Sequence, residues 1–375
     1  LTGGGASDIR ASEPAFRPVF KQHRAYSMDN PVLVEVTRGG AVESRHRGAF
    51  VVVDADGAVV AAAGDVSQPV FPRSAVKALQ ALPLIESGIA DKFGLSADEI
   101  ALCCASHSGE PHHAAAAASM LRKAGRDAAS LECGAHWPMY DRAARALADQ
   151  GREASALHNN CSGKHAGFVC LACGLDEDPA GYVKAEHRVQ REIRGALVDM
   201  TGDPHRPEQA GVDGCSIPTY AVPLSALALG FARFGAGGGK GSNMGPARAE
   251  AARRIRAAVA AHPAMVAGMG RPEPMALSAG RPRFDSAVME ALGARAFTKT
   301  GAEAVFCGAL PELGYGMALK IDDGATRASE ALMAELLLRL LKPEGQARAL
   351  LAGVVSSTMR NWNGVEVGSV RATTP

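Results

Sequence analysis

The 375-residue sequence is poor in aromatic residues, poor in lysine and almost without net charge. Aromatic side chains make up 5% of it, and 40 basic residues stand against 39 acidic ones. A nucleic-acid surface needs a basic stripe or stacking platforms, and neither is present. No uncharged apolar run of about 18 residues occurs, so no membrane-spanning helix is expected. The first thirty residues lack the basic-then-apolar layout of a secretory signal. Without that signal, eight cysteines in so long a chain read as reduced thiols or metal ligands rather than disulfides. The expected compartment is the cytoplasm. What is there instead is ordinary globular material, 47% hydrophobic and 21% charged, long enough for one large domain or two smaller ones.

Residues 1–27 read as an irregular arm or an added extension, with Met28 the expected native start and 28–375 a single domain. Val32 to Val36 reads as a strand. Ala49 to Val53 and Ala58 to Ala63 read as two more, joined by Asp54-Ala55-Asp56-Gly57 in a hairpin. Pro69-Val70-Phe71-Pro72 then brakes the chain, and Val76, Leu79, Leu82 and Ile85 recur at helical spacing from Ser74 onward. A helix-rich middle runs from about 95 to 295, with Pro111 to Gly125 and Val183 to Thr201 its clearest helices. Gly235 to Ser242 is a flexible loop and not a phosphate-binding one, because Gly follows Lys240. Strands return at Glu303 to Leu310 and Tyr315 to Ile321, followed by a helix from about Thr326 to Leu341. Strands at both ends around a helical middle imply an α+β fold. One sheet is built from both termini, with the terminal helix on one face and a helical subdomain inserted beside it.

Three short motifs carry chemistry. Ser74-Ala75-Val76-Lys77 is an S-x-x-K, Ser106-His107-Ser108 an S-x-S, and Lys299-Thr300-Gly301 a K-T-G. In that order they are the active-site pattern of serine β-lactamases and penicillin-binding proteins. Amide hydrolysis needs a nucleophile, a base, an acid for the leaving amine and an oxyanion hole. Lysine is a base only when its pKa falls well below about 10.4, and burial or a second ammonium lowers it. Lys77 and Lys299 are two of only ten lysines, against thirty arginines. Taken alone, an S-x-x-K arises by chance on the order of once in such a chain. Ser74 then reads as an N-cap and Lys77 as a solvated side chain.

A second constellation is Cys161-Ser162-Gly163-Lys164-His165 together with Cys215. Two cysteines and a His or Lys suffice for zinc with one open position. The spacing is not that of a zinc finger, and on the residues alone two buried free thiols in turns are favoured. Cys170-Leu171-Ala172-Cys173 lies in an apolar run and reads as buried helix rather than a redox pair. His107, His112 and His113 show no ligand spacing and read as packing or surface residues.

Taken together, Pro72–Lys77, Ala105–Glu110, His158–His165, Asp213–Tyr220 and Thr298–Gly301 resemble the rhizobial-type, or class 3, L-asparaginases. The resemblance runs from about Asn30 to the C-terminus. Residues 1–27 lie outside it, and 235–243 looks like a local insertion. It implies a serine β-lactamase-like fold, a homodimer and hydrolysis of L-asparagine to L-aspartate and ammonia. It also implies two Ser–Lys tandems, Ser74 with Lys77 and Ser106 with Lys299, and a zinc ion on Cys161, Lys164 and Cys215. On this expectation Ser74 attacks the side-chain amide, Lys77 takes its proton, and Ser106 and Lys299 relay protons to departing ammonia; with Ser106 as the nucleophile the two tandems exchange roles. Arg73, His158, Asn159 and Asp213 sit beside the motifs as candidates for the substrate's α-carboxylate and α-ammonium, or as turn residues. The alternatives are a β-lactamase-like esterase, peptidase or glutaminase, and a non-catalytic zinc or amino-acid binding protein.

Overall fold

The structure, a computed structural model, describes residues 30–239, 244–270 and 282–373. The expected arm at 1–27 lies outside those residues, as does the 240–242 part of the glycine-rich loop. Among the described residues eight strands form the main sheet: β1 (Val32–Arg38), β2 (Ala41–Asp54), β3 (Val59–Ala63), β4 (Phe297–Thr300), β5 (Val305–Leu310), β6 (Tyr315–Ile321), β7 (Ser356–Arg360) and β8 (Glu366–Ala372). Their order is β7-β8-β1-β2-β6-β5-β4, every pairing is antiparallel, and β3 pairs with the second half of β2. The N-terminal strands thus sit between the C-terminal ones, as the α+β expectation required.

The alternation of side chains along these strands separates two cores. Ala49, Val51 and Val53 of β2, with Val305, Cys307 and Ala309 of β5, face the helical middle of the chain. Phe50 and Val52, with Phe306 and Leu310, face the other way, against helices Thr326–Leu341 and Gly345–Val355. The helix Leu224–Ala236 lies directly on β6. A Cβ at Gly316 would run into Ala228 and Ala232 backbone, so only glycine permits that approach. No described helix is long and apolar enough to cross a membrane.

The hairpin between β2 and β3 forms as the sequence implies. Asp54 Oδ1 accepts from the N–H groups of Asp56 and Ala58, and Gly57 takes φ +90°. Other boundaries moved for local reasons. β2 starts at Ala41 rather than Ala49, because its polar first half pairs with β1. The helix expected from Val183 starts at Arg188, where the His187 side chain accepts from Val189 N–H. Glu303 sits in a turn at φ +57°, so β5 starts only at Val305.

Candidate active site

The S-x-x-K segment opens as a tight turn, Arg73–Val76, that runs into the short helix Lys77–Gln80. Ser74 is therefore not an N-cap: Pro72 holds that position. Lys77 is not solvated but 1% exposed, because its helix is enclosed by the apolar core. Arg73 takes φ +51°, a conformation that costs a non-glycine residue about 1–3 kcal/mol and concentrates at functional sites. Lys77 N–H donates to the Ser74 carbonyl, which fixes the two residues one turn apart.

The Lys77 amino group does not bond Ser74 Oγ. It donates to the Ala105 carbonyl, to Ser106 Oγ at 2.9 Å and to Cys161 Sγ at 3.1 Å. Burial pushes its pKa down, and the charge of Lys164 adds to the effect against the pull of Cys161. Ser106 is held on every side. Its N–H donates to Val266, its carbonyl accepts from Arg283 at 2.6 Å, and it is 6% exposed. Ser74 is half-buried, and among the described residues its N–H has no backbone acceptor.

Lys299 lies on β4, the edge strand, on the same face as Phe297 and the helical core. It is wholly buried, donates to the Thr300 carbonyl at 2.7 Å and lies 4.0 Å from Asp285 Oδ2. Its amino group bonds neither Ser74 nor Ser106 directly. Burial brings its pKa to about 7. The K-T-G glycine explains how the two lysine segments meet. A Cβ at Gly301 would lie 2.5 Å from the Pro72 carbonyl and 3.2 Å from Ala75 N, so β4 presses against the turn that carries Ser74.

Cys161, Lys164 and Cys215 also converge. Lys164 Nζ donates to Cys215 Sγ at 3.0 Å, and the two thiols share a hydrogen bond. That bond, with the charges of Lys77 and Lys164, drives Cys161 well down, while Cys215 keeps the shared proton and rises. Burial alone would depress Lys164, but the two sulfurs outweigh it and hold its pKa up. Two soft sulfurs and one amine form a donor set suited to zinc once their protons leave.

The L-asparaginase II family profile matches residues 34–372. The chain belongs to that family. It is therefore an asparagine-hydrolysing enzyme, in accord with the resemblance of its motifs. No curated protein matches it.

The asparaginase's remaining candidates separate into two groups. Arg73 and Asp213 form an ion pair at 2.6 Å that ties the Ser74 turn to the segment bearing Cys215. The Asn159 side chain is fully engaged, donating to the Cys133 and Gly134 carbonyls and accepting from Cys161 N–H at 2.8 Å. It holds Cys161 in place. His158 Nδ1 accepts from Ser155 N–H, and the residue lines a depression of about 310 Å³ with Arg152 and Leu157. A cavity of about 650 Å³ takes in Arg73, Thr219 and Glu303 but neither Ser74 nor Ser106.

Arg283 and Asp285 belong to this neighbourhood and carry no motif in the sequence. Only the position of helix Phe284–Leu292 beside β4 brings them to Ser106 and Lys299. Glu110, His112 and His113 also cluster. Glu110 Oε1 already accepts from Ser108 and Met269, and His113 is bonded at both ring nitrogens.

Proposed function

We propose that this L-asparaginase cleaves the side-chain amide of L-asparagine through an acyl-enzyme on Ser74, with Lys77 as the base. The observation that carries the reading is the wholly buried Lys77, one turn from Ser74 and bonded to Ser106 Oγ at 2.9 Å. A nucleophile must be reached by substrate, and Ser74 is half-buried whereas Ser106 is enclosed. An oxyanion hole needs free N–H groups; that of Ser74 has no backbone acceptor among the described residues, while that of Ser106 is bonded to Val266.

In this scheme neutral Lys77 removes the Ser74 hydroxyl proton as Oγ adds to the amide carbon. The proton passes through Ser106 Oγ to the departing nitrogen, which leaves as ammonia. Water then adds to the acyl carbon, gives its proton to Lys77 and releases L-aspartate, and Ser74 recovers a proton. Lys299 contributes its charge to the same enclosed space, where mutual repulsion favours one lysine being neutral. Arg73 and Asp213, paired beside Ser74, orient the α-carboxylate and α-ammonium of the substrate.

Zinc would be held by Cys161, Lys164 and Cys215. When bound it supplies a fixed positive charge and a Lewis acid beside the lysine–serine set. Asn159 positions the Cys161 backbone for it. The reading also includes the serine β-lactamase-like fold, supported by the antiparallel sheet from both chain ends and the K-T-G on its edge strand. A homodimer and a cytoplasmic location complete it.

The test is ammonia release from L-asparagine, with L-glutamine and a chromogenic β-lactam in parallel, for the native enzyme and Ser74→Ala. Release from asparagine that vanishes in the variant is the expected result. Full turnover by Ser74→Ala would overturn the assignment.

A further inference from the structure

Among the described residues, Lys299 has no hydroxyl or carboxylate within ordinary hydrogen-bond distance, only the Thr300 carbonyl next to it in the chain. A long, flexible amine tethered to its own neighbour is not fixed in direction by that contact. The group that faces it from outside β4 is Asp285, 2% exposed, in the first turn of helix Phe284–Leu292. Its Oδ2 accepts from Thr300 N–H at 3.1 Å and lies 4.0 Å from Lys299 Nζ. Its Oδ1 is buried with no hydrogen-bond partner among the described residues. Burying a carboxylate with one oxygen unsatisfied is costly. The first turn of a helix is where such a negative charge is best tolerated.

We propose that Asp285 is a positioning residue for the hydrolytic reaction: anchored on Thr300 N–H, it steers the Lys299 amino group and sets how readily that amine holds its proton. This rests on Lys299 acting in the Ser–Lys site proposed above. The groups that bear on Lys299 are Asp285 in this helix, Arg283 before it, Lys77 across the cleft, Cys161 beside Lys77, and the buried thiols Cys104 and Cys307. The two thiols are held protonated by burial, with Cys104 raised to about 12, so they add no charge near neutrality. Lys77 and Arg283 disfavour the ammonium of Lys299, and Asp285 is its largest support. Glu330 faces Arg283 and Asp285 rather than Lys299, and burial brings its carboxyl to about 7.

Removing the Asp285 charge therefore makes Lys299 lose its proton at lower pH. Asp285→Asn keeps an oxygen to accept from Thr300 N–H, deletes the charge and puts an NH2 in place of the unpartnered Oδ1. The experiment is the pH profile of kcat and of kcat/KM for asparagine, in native enzyme, Asp285→Asn and Asp285→Glu. The expected result is a limb near pH 7 that moves toward acid by on the order of one unit in Asp285→Asn. A fall in kcat larger than any change in KM accompanies it, and Asp285→Glu returns the limb toward its native place. Lys299→Met identifies that limb by abolishing it. Circular dichroism confirms that each variant is folded. Should the amide variant fail to fold, Asp285→Ser supplies the comparison, because it too removes the charge while its hydroxyl can accept from Thr300 N–H. A limb that stays in place in a folded variant lacking the charge, whatever the loss of rate, overturns the inference and leaves the Ser–Lys reading standing. A native enzyme with no limb that depends on Lys299 overturns both.

Discussion

The two faces of the main sheet divide the work of this molecule. Toward helices Thr326–Leu341 and Gly345–Val355 the sheet buries Phe50, Val52, Phe306, Met317, Leu319 and Ile321 in an apolar core. Toward the helical middle it buries a second apolar core into which Lys77, Ser106, Lys164 and Lys299 are set. Apolar burial is worth about 25 cal/mol per Å², and a buried ionisable group loses several kcal/mol of hydration unless it is paired or neutralised. The first face is where stability is gained. The second spends some of it to enclose amines, and burial brings that of Lys299 to a pKa of about 7.

That division is broken most severely at Ser74. Ser74→Ala is expected to lower kcat by about 10³-fold or more with an unchanged melting temperature, measured by ammonia release and calorimetry. The opposite pattern is expected on the other face. Leu332→Ala, at a fully buried site, should cost about 2–5 kcal/mol of unfolding free energy while turnover at 25 °C stays within twofold. Denaturant unfolding checks the first part. If the apolar variant lost activity without losing stability, the division of labour would be wrong.

Lys299 sharpens the comparison through pH. Its folded pKa of about 7 lies below its ordinary 10.5, so between those values the unfolded chain binds more protons. Stability contributed by this group is complete above about pH 10.5 and is lost as pH falls toward 7. Lys299→Met should flatten that rise; denaturant midpoints between pH 7 and 10 measure it. A smaller effect is expected at the exposed ion pair of Arg254 with Asp91. Arg254→Ala should change stability by only about 0–1 kcal/mol and leave asparagine turnover untouched.

The same contrast explains what could be read from the sequence. Strands buried on both faces announce themselves: the Val51–Val53 run, β6 and the Asp54–Gly57 turn fell where the pattern placed them, and β5 differed only at its first two residues. β7 and β8 carry Ser, Thr and Arg on half-exposed strands, so no apolar run marks them. In the candidate site, Ser74, Lys77, Ser106 and Lys299 stood out as candidates because their motifs are local. The bonds between them were not. Lys77 reaches Ser106, 29 residues away, and this follows from the packing of separate elements. Asp285 and Arg283 were invisible for the same reason, since neither lies in a motif. Asn159 stood next to Cys161 and was a candidate for substrate, yet its amide is engaged with backbone on all sides.

The zinc reading has its own check. Metal analysis of native enzyme should find about one zinc per chain, and Cys215→Ser should lose it, because among the described residues three protein donors converge there. Full metal content in that variant would move the site elsewhere.

The most direct test of the central claim is to trap the acyl-enzyme. Native enzyme mixed with a slowly hydrolysed asparagine analogue is quenched in acid, digested and mapped by mass spectrometry. The account predicts an aspartyl adduct on the peptide carrying Ser74, absent from Ser74→Ala. An adduct on the peptide carrying Ser106 that persists in Ser74→Ala would contradict it.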